Sequence, residues 1–280
     1  MKKTIFLFLT LCSVTIVMAQ KKANLKGSKI VTVVKHNVAP FAELEIEDNL
    51  EITLVKGTKS AIEIEADENL HAAINHENHG NSLRLNTNKN ITGFEKLQIK
   101  VIYTDTLKLI YVRHEAKLNA ISELQLPSIT VKAYDYSKSF MNVNAANFTL
   151  LANDKAKIEL NLKSQDVIIE MSKNAILKSL ISSPILKLDM YQKTEVTLEG
   201  DITEIKLRLD NNAKYTGKNA TSKIMNLTTE GATNCSVFTN GALAINASGK
   251  SEIWIYGEPK IELQKFADDA TLYKKSKVKE

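Results

Sequence analysis

Cysteine is nearly absent: Cys12 and Cys235 are the only two in 280 residues. Cys12 lies in an N-terminal apolar run that reads as a leader, so one thiol remains and an intrachain disulfide framework is excluded. Stability must come from a hydrophobic core, for which the length is ample. Cys235 reads as a small buried hydrophobe rather than a nucleophile. With 10 glycines and 4 prolines, the chain lacks the composition of long disordered or collagen-like tracts. Beyond the leader no apolar run approaches the roughly 18 residues of a spanning helix, so no integral membrane span is expected after leader cleavage. Basic residues number 37 against 32 acidic, and no Lys/Arg block is interleaved with aromatics, which argues against a nucleic-acid partner. There is no phosphate loop, no Gly-x-Ser-x-Gly elbow and no glycine-rich calcium nonapeptide. No cofactor and no catalytic set is expected.

What is present begins with the leader. Lys2 and Lys3 precede an apolar run from Ile5 to Val17, and Ala19 is small. This pattern predicts a signal peptide over residues 1–19, cleaved before Gln20, and export to the periplasm or cell surface. A lipoprotein reading would use Cys12, but Leu11 is bulky where such a site wants a small residue.

The C-terminal half carries a 19-residue beat of small residues: Ala156, Ala175, Thr194, Ala213, Ala232, Ser251 and Ala270. Three apolar columns share it. One is Phe148, Val167, Leu186, Ile205, Ile224 and Leu243; a second is Leu150, Ile169, Leu188, Leu207, Asn226 and Ile245; a third is Ile158, Leu177, Val196, Tyr215, Asn234, Ile253 and Leu272. Ile110 and Val112 extend the beat upstream, 19 residues before Ile129 and Val131. Fixed periods of this size mark solenoids, whose units bury their apolar faces by stacking on one another. Nineteen residues are too few for a helix, a turn and a strand, but suffice for a rung of parallel β-helix with two or three short strands. Asn153-Asp154 and Asp210-Asn211-Asn212 suit the bends, because Asn and Asp tolerate the left-handed conformation. Asn226 and Asn234 interrupt the columns, either as inward asparagine ladders or because the register is displaced.

Residues 38–103 alternate with period two but lack the strict beat, as in Leu50 to Val55 and Leu97 to Tyr103. Asp67 to Ile74 is the one stretch with a helical turn pattern, with Asp67 as its cap. The expected organisation is a signal peptide (1–19), a lead-in (20–37), one β-helical domain (38–272) and a basic tail (273–280). Within the domain, 38–103 is a less regular capping part and 104–272 the repeat part.

Candidate sites are few. His71, His76 and His79 with Glu77 match no metal-ligand spacing, and His76 to Asn81 reads as a polar turn; no metal site is expected. Asp67-Glu68 and Asp268-Asp269 are adjacent pairs, and neighbours on a strand face opposite ways, so neither forms a glycosidase-like pair. Trp254 and Tyr256 flank Ile255 and face away from the apolar columns, either outward or onto a second buried side against the chain end. They form a possible ligand platform of the kind that stacks on a sugar ring.

The opening of the domain also carries a resemblance. Phe41-Ala42-Glu43-Leu44-Glu45-Ile46, Leu50 to Gly57, Ile62-Glu63-Ile64-Glu65-Ala66-Asp67-Glu68-Asn69-Leu70 and Ser82-Leu83-Arg84-Leu85 are followed by small-residue rungs. In this order they resemble the secreted auto-transporter adhesin head GIN domain (DUF2807) family of Bacteroidota, over Val38 to about Leu272. The resemblance implies an all-β, right-handed parallel β-helix-like solenoid with roughly 19-residue rungs, exported to the cell envelope. It supplies no catalytic residues. The leading expectation is a non-enzymatic, adhesin-like surface module that binds carbohydrate or an envelope protein. The alternatives are a polysaccharide-cleaving β-helical enzyme and a purely structural envelope domain.

Overall fold

Burial along strand β13 explains how one rung is built. From Lys157 to Ser164 exposed and buried residues alternate; Gln165 and Asp166 are both exposed; alternation then resumes in the opposite phase to Met171. Two exposed neighbours turn the chain through a corner, so both limbs keep their apolar side inward. The computed structural model describes residues 22–275. The predicted signal peptide, Cys12 and the last five residues of the tail lie outside the described residues.

In chain order the strands are β1 (Asn24–Lys26), β2 (Val31–Asn37), β3 (Glu43–Ile46), β4 (Glu51–Lys56), β5 (Ala61–Asp67), β6 (Ile74–His79), β7 (Ser82–Thr87), β8 (Asn90–Thr92), β9 (Leu97–Tyr103), β10 (Leu109–Val112), β11 (Lys117–Ala133), β12 (Lys138–Ala152), β13 (Lys157–Met171), β14 (Ile176–Met190), β15 (Glu195–Asp210), β16 (Lys214–Glu230), β17 (Asn234–Phe238), β18 (Ala242–Ala247), β19 (Glu252–Tyr256), β20 (Lys260–Phe266) and β21 (Thr271–Lys274). The first limbs of β11 to β16 pair in parallel and continue into β17, β19 and β21, making one wall. Their second limbs continue into β18 and β20, making the other. The fold is therefore an all-β solenoid of parallel rungs, its core filled by the inward columns.

A left-handed residue sits at the turn of nearly every rung. Asp48, His114, Asp135, Asp154, Lys173, Gln192, Asn211 and Asp268 have φ between 52° and 63°, and Gly231 and Gly249 occupy the same place in their rungs. For a non-glycine residue this conformation costs roughly 1–2 kcal/mol. Aspartate offsets part of that cost by reaching the neighbouring rung: Asp135 accepts the His114 N–H at 2.9 Å and Asp268 accepts the Gly249 N–H at 2.9 Å. The Asx-rich bends expected from sequence are here.

Along the column of small residues the beat of 19 holds without interruption only from Ser137 to Ala213. In β16 the partners pass from Thr197↔Thr216 to Glu199↔Asn219, so one extra residue bulges out. The inward positions thereafter are Met225, Leu227, Thr233 and Cys235, not Ile224, Asn226, Ala232 and Asn234. Displaced register, rather than an inward asparagine ladder, is the answer at Asn226 and Asn234. A single-residue slip would turn every later side chain to the wrong face; the next step, Asn234 to Glu252, is 18 residues and restores the count. Upstream, β11 bulges between Ala120 and Leu124, and Ile110 faces Val131, not Ile129.

The N-terminal part departs from simple stacking. Strand β3 lies between β7 and β10, and β4 between β9 and β11. The rung made from β7 and β9 thus slides beneath an earlier one before the chain climbs to β10. Three antiparallel strands close the outer edges of that lowest rung: β5 on β9, β2 on β5, and β6 on β7. The helical turn predicted over Asp67 to Ile74 is a 3-10 turn at Glu68–Ala73. Asp67 precedes it without capping it. Its fully buried carboxylate accepts instead the backbone N–H groups of Lys29, Glu95 and Lys96 at 2.9 to 3.1 Å. The predicted polar turn at His76 to Asn81 is mostly strand, since β6 runs to His79 and only Gly80 and Asn81 turn.

Candidate functional site

Strand β19 presents its side chains as the alternation requires: Ile253 and Ile255 are fully buried, and Trp254 and Tyr256 point out of the wall, both half-buried. Trp254 has Tyr273 of β21 as its Cα partner. The two rings stack at 4.2 Å between centroids with 17° between planes, and the Lys275 ammonium lies 4.3 Å from the Trp254 centroid. The Lys274 ammonium donates to the Gly257 carbonyl and pairs with Glu258 at 3.1 Å, tying the last strand to the loop after β19. Trp254 is thus the backing of the aromatic patch and Tyr273, 41% exposed, is its outer ring. Tyr273 and Lys275 were missed in the sequence reading, where both fell in the basic tail. The beat itself was the signal that finds them, since Tyr273 follows Trp254 by one 19-residue step.

A second aromatic row lies along the turn edge. Arg113 and Lys132 each sit 4.9 Å from the Tyr111 centroid, and Lys155 sits 4.9 Å from that of Tyr136. Lys132 and Lys155 reach these rings from the next rung, which makes the row a staple between turns.

The histidines are spread over separate partners. His71 bonds Thr32 at 2.9 Å, His76 lies 4.3 Å from the ring of His36, and His79 pairs with Glu77 at 2.8 Å. Burial, and then the neighbouring His36, holds His76 below its usual range and so favours the neutral ring. Among the described residues no group of three or more His, Cys, Asp or Glu is placed to hold a metal.

The acids also serve the fold. Asp67 anchors the N-terminal end and Asp268 a turn. Burial pushes Asp67 up, but the N–H groups of Lys96, Lys29 and Glu95 outweigh it and hold the carboxyl below the usual range. Hydrogen bonds from Lys100 and Lys35 bring Glu63 down to about 2. A glycosidase acid is displaced the other way, upward. Burial pushes the Cys235 thiol up to about 12, so it stays protonated and unreactive in the third column.

Comparison with known proteins adds a family and a fold. The family model "Putative auto-transporter adhesin, head GIN domain" (DUF2807) matches residues 40–259. A solved "putative adhesin" from Parabacteroides distasonis ATCC 8503 is similar at a TM-score of 0.63 and 16% identity, covering 90% of this chain and 98% of that one. Another from Parabacteroides merdae ATCC 43184 gives 0.61 and 15%, covering 91% and 98%. A "putative lipid binding protein" from Parabacteroides distasonis ATCC 8503 gives 0.55 and 14%, covering 91% and 100%. At these identities the likeness is one of fold. No curated protein matches the chain.

Proposed function

Because this chain belongs to the auto-transporter adhesin head GIN domain (DUF2807) family, we propose that it is an exported envelope protein whose outer β surface binds carbohydrate or protein without catalysing a reaction. The observation that carries this reading is the Trp254–Tyr273 stack. It is a rigid aromatic pair on a flat wall, with Tyr256 on the same face and Lys275 beside it. Stacked rings of this kind offer large contact area at little conformational cost.

A glycan array run beside a polysaccharide-degradation screen tests it. Binding should weaken about tenfold in Tyr273→Ala, and more in Trp254→Ala, which removes the backing ring as well. Release of shortened polysaccharide, or binding equal in both variants and wild type, would refute the proposal. N-terminal sequencing of the envelope-associated protein should begin at Gln20; a start at Cys12 would make it a lipoprotein.

A lipid reading has one observation in its favour. Ile261, Leu263 and Phe266 of β20 are exposed at the C-terminal end of the solenoid. A liposome arm in the same screen decides it, since lipid capture would then depend on Leu263 and not on Trp254.

A further inference from the structure

A groove of about 600 Å³ crosses the outer face of the first wall, four strands or more from Trp254. Phe140, 36% exposed, is its aromatic surface. Lys117, Lys138 and Lys157 are Cα partners on three successive strands. They therefore rise one above another at the strand spacing of about 4.8 Å. Lys178, the partner of Glu159, closes the groove from the adjoining column. Lys117 has Glu51 at 3.6 Å. Lys138, Lys157 and Lys178 have no ion pair among the described residues.

This stack works against the fold, because like charges directly opposite on adjacent strands are destabilising. Nothing in the rung geometry demands it: the same column continues as Ile176, Glu195 and Lys214. A row of ammonium groups, one per rung and two of the three without an ion pair among the described residues, beside a single exposed ring describes a binding surface for a chain with one negative charge per unit.

We propose that this groove binds an anionic polysaccharide built of uronic acid units. The apolar face of one sugar ring lies against Phe140, and carboxylates of successive units meet Lys117, Lys138 and Lys157. The inference rests on the carbohydrate branch of the function above, and places the ligand on a different part of the wall. A sugar chain fits better than a nucleic acid, because single-stranded nucleic acid is held by bases stacking on several aromatics in succession, and this groove has one phenylalanine and no arginine. Asn119 and Glu159 supply further polar contacts for hydroxyls.

Calorimetric titration of the full chain with oligogalacturonate tests the assignment, with maltohexaose and oligo-dT as controls. Oligogalacturonate should bind, less tightly as salt is raised, and maltohexaose should not. Lys138→Gln with Lys157→Gln should weaken binding about tenfold, with a melting temperature no lower than that of the wild type, because both side chains are exposed and their mutual repulsion is relieved. Phe140→Ala should weaken it as well, and Trp254→Ala should leave it unchanged. Equal affinity in wild type and the double lysine variant would overturn the proposal, as would tighter binding of oligo-dT. If other glycans on the array bind through Trp254 while oligogalacturonate does not bind, the groove assignment fails and the broader surface-binding reading survives.

Discussion

The two ends of the solenoid carry the same kind of apolar column and treat it oppositely. At the N-terminal end Leu83, Leu85, Ile99 and Val101 are fully buried, because β5 and β6 run antiparallel along the outer edges of their rung. At the C-terminal end Ile261 and Leu263 continue the columns of Leu243 and Ile245, and Leu263 is 53% exposed. No strand among the described residues pairs with the far edge of β20 or β21. Alternation thus tells which side of a strand faces inward, while burial depends on whether another rung follows. Reversing strand direction is how this chain ends its first edge, and a closed edge also blunts unwanted pairing with other chains.

The largest effect that would test this contrast uses one column at two heights. Leu188 and Leu263 occupy the same inward column, one in the middle and one at the open end. Leu188→Asp places an unpaired carboxylate among packed side chains and should cost about 4 kcal/mol or more, a large share of a typical domain's stability. Leu263→Asp should change stability by no more than about 0.5 kcal/mol. Denaturant titration of both variants measures the difference. Similar midpoints would mean that the open end is covered in solution.

A smaller effect concerns local opening in the unaltered chain. Each rung is held by its neighbours, so opening should start where a neighbour is missing. Native-state hydrogen exchange should find the amides of β20 and β21 least protected, β4 and β9 among the most protected, and the Asp67-anchored N–H groups of Glu95 and Lys96 with the latter. Faster exchange in β5 and β9 than in β20 would reverse the assignment of closed and open ends.

How much of this was legible follows from which marks a sequence keeps. Phe148, Val167, Leu186 and Ile205 could be placed inward because alternation and rung length agree on them. Met225 could not, since Ile224 beside it is equally apolar and the bulge at Gly217 to Asn219 is cancelled by the short rung that follows. The passage of β3 between β7 and β10 leaves no local mark, because β7 and β9 alternate as any other half-buried strand does. At the aromatic patch, the outward direction of Trp254 was readable from Ile253 and Ile255. Tyr273 was within reach of the same step but lay in what read as a tail. The lysine row was half visible: Lys138 to Lys157 is one regular step, while Lys117 is offset by the bulge in β11.

The smallest effect sharpens the comparison through pH. Glu63 of β5 accepts from Lys100 of β9 at 2.9 Å and pairs with Lys35 of β2 at 2.9 Å, so it ties the closing strands β2 and β5 to β9 of the lowest rung. Those lysines, Lys100 first, hold its carboxyl at about 2, below its ordinary 4.5. A carboxyl depressed on folding contributes stability that is fully present above its unfolded value and lost as pH falls through its folded value. The window here runs from about 4.5 down to about 2. Because the three side chains are solvated, the contribution is modest and screened by salt. Glu63→Gln should therefore lower the melting temperature slightly at pH 7, and the gap from wild type should close as pH is brought toward 2. Protection in β2 and β5 should fall with it, while β20 and β21 stay as they were. A gap that persisted undiminished at pH 2 would mean that Glu63 acts through packing rather than charge.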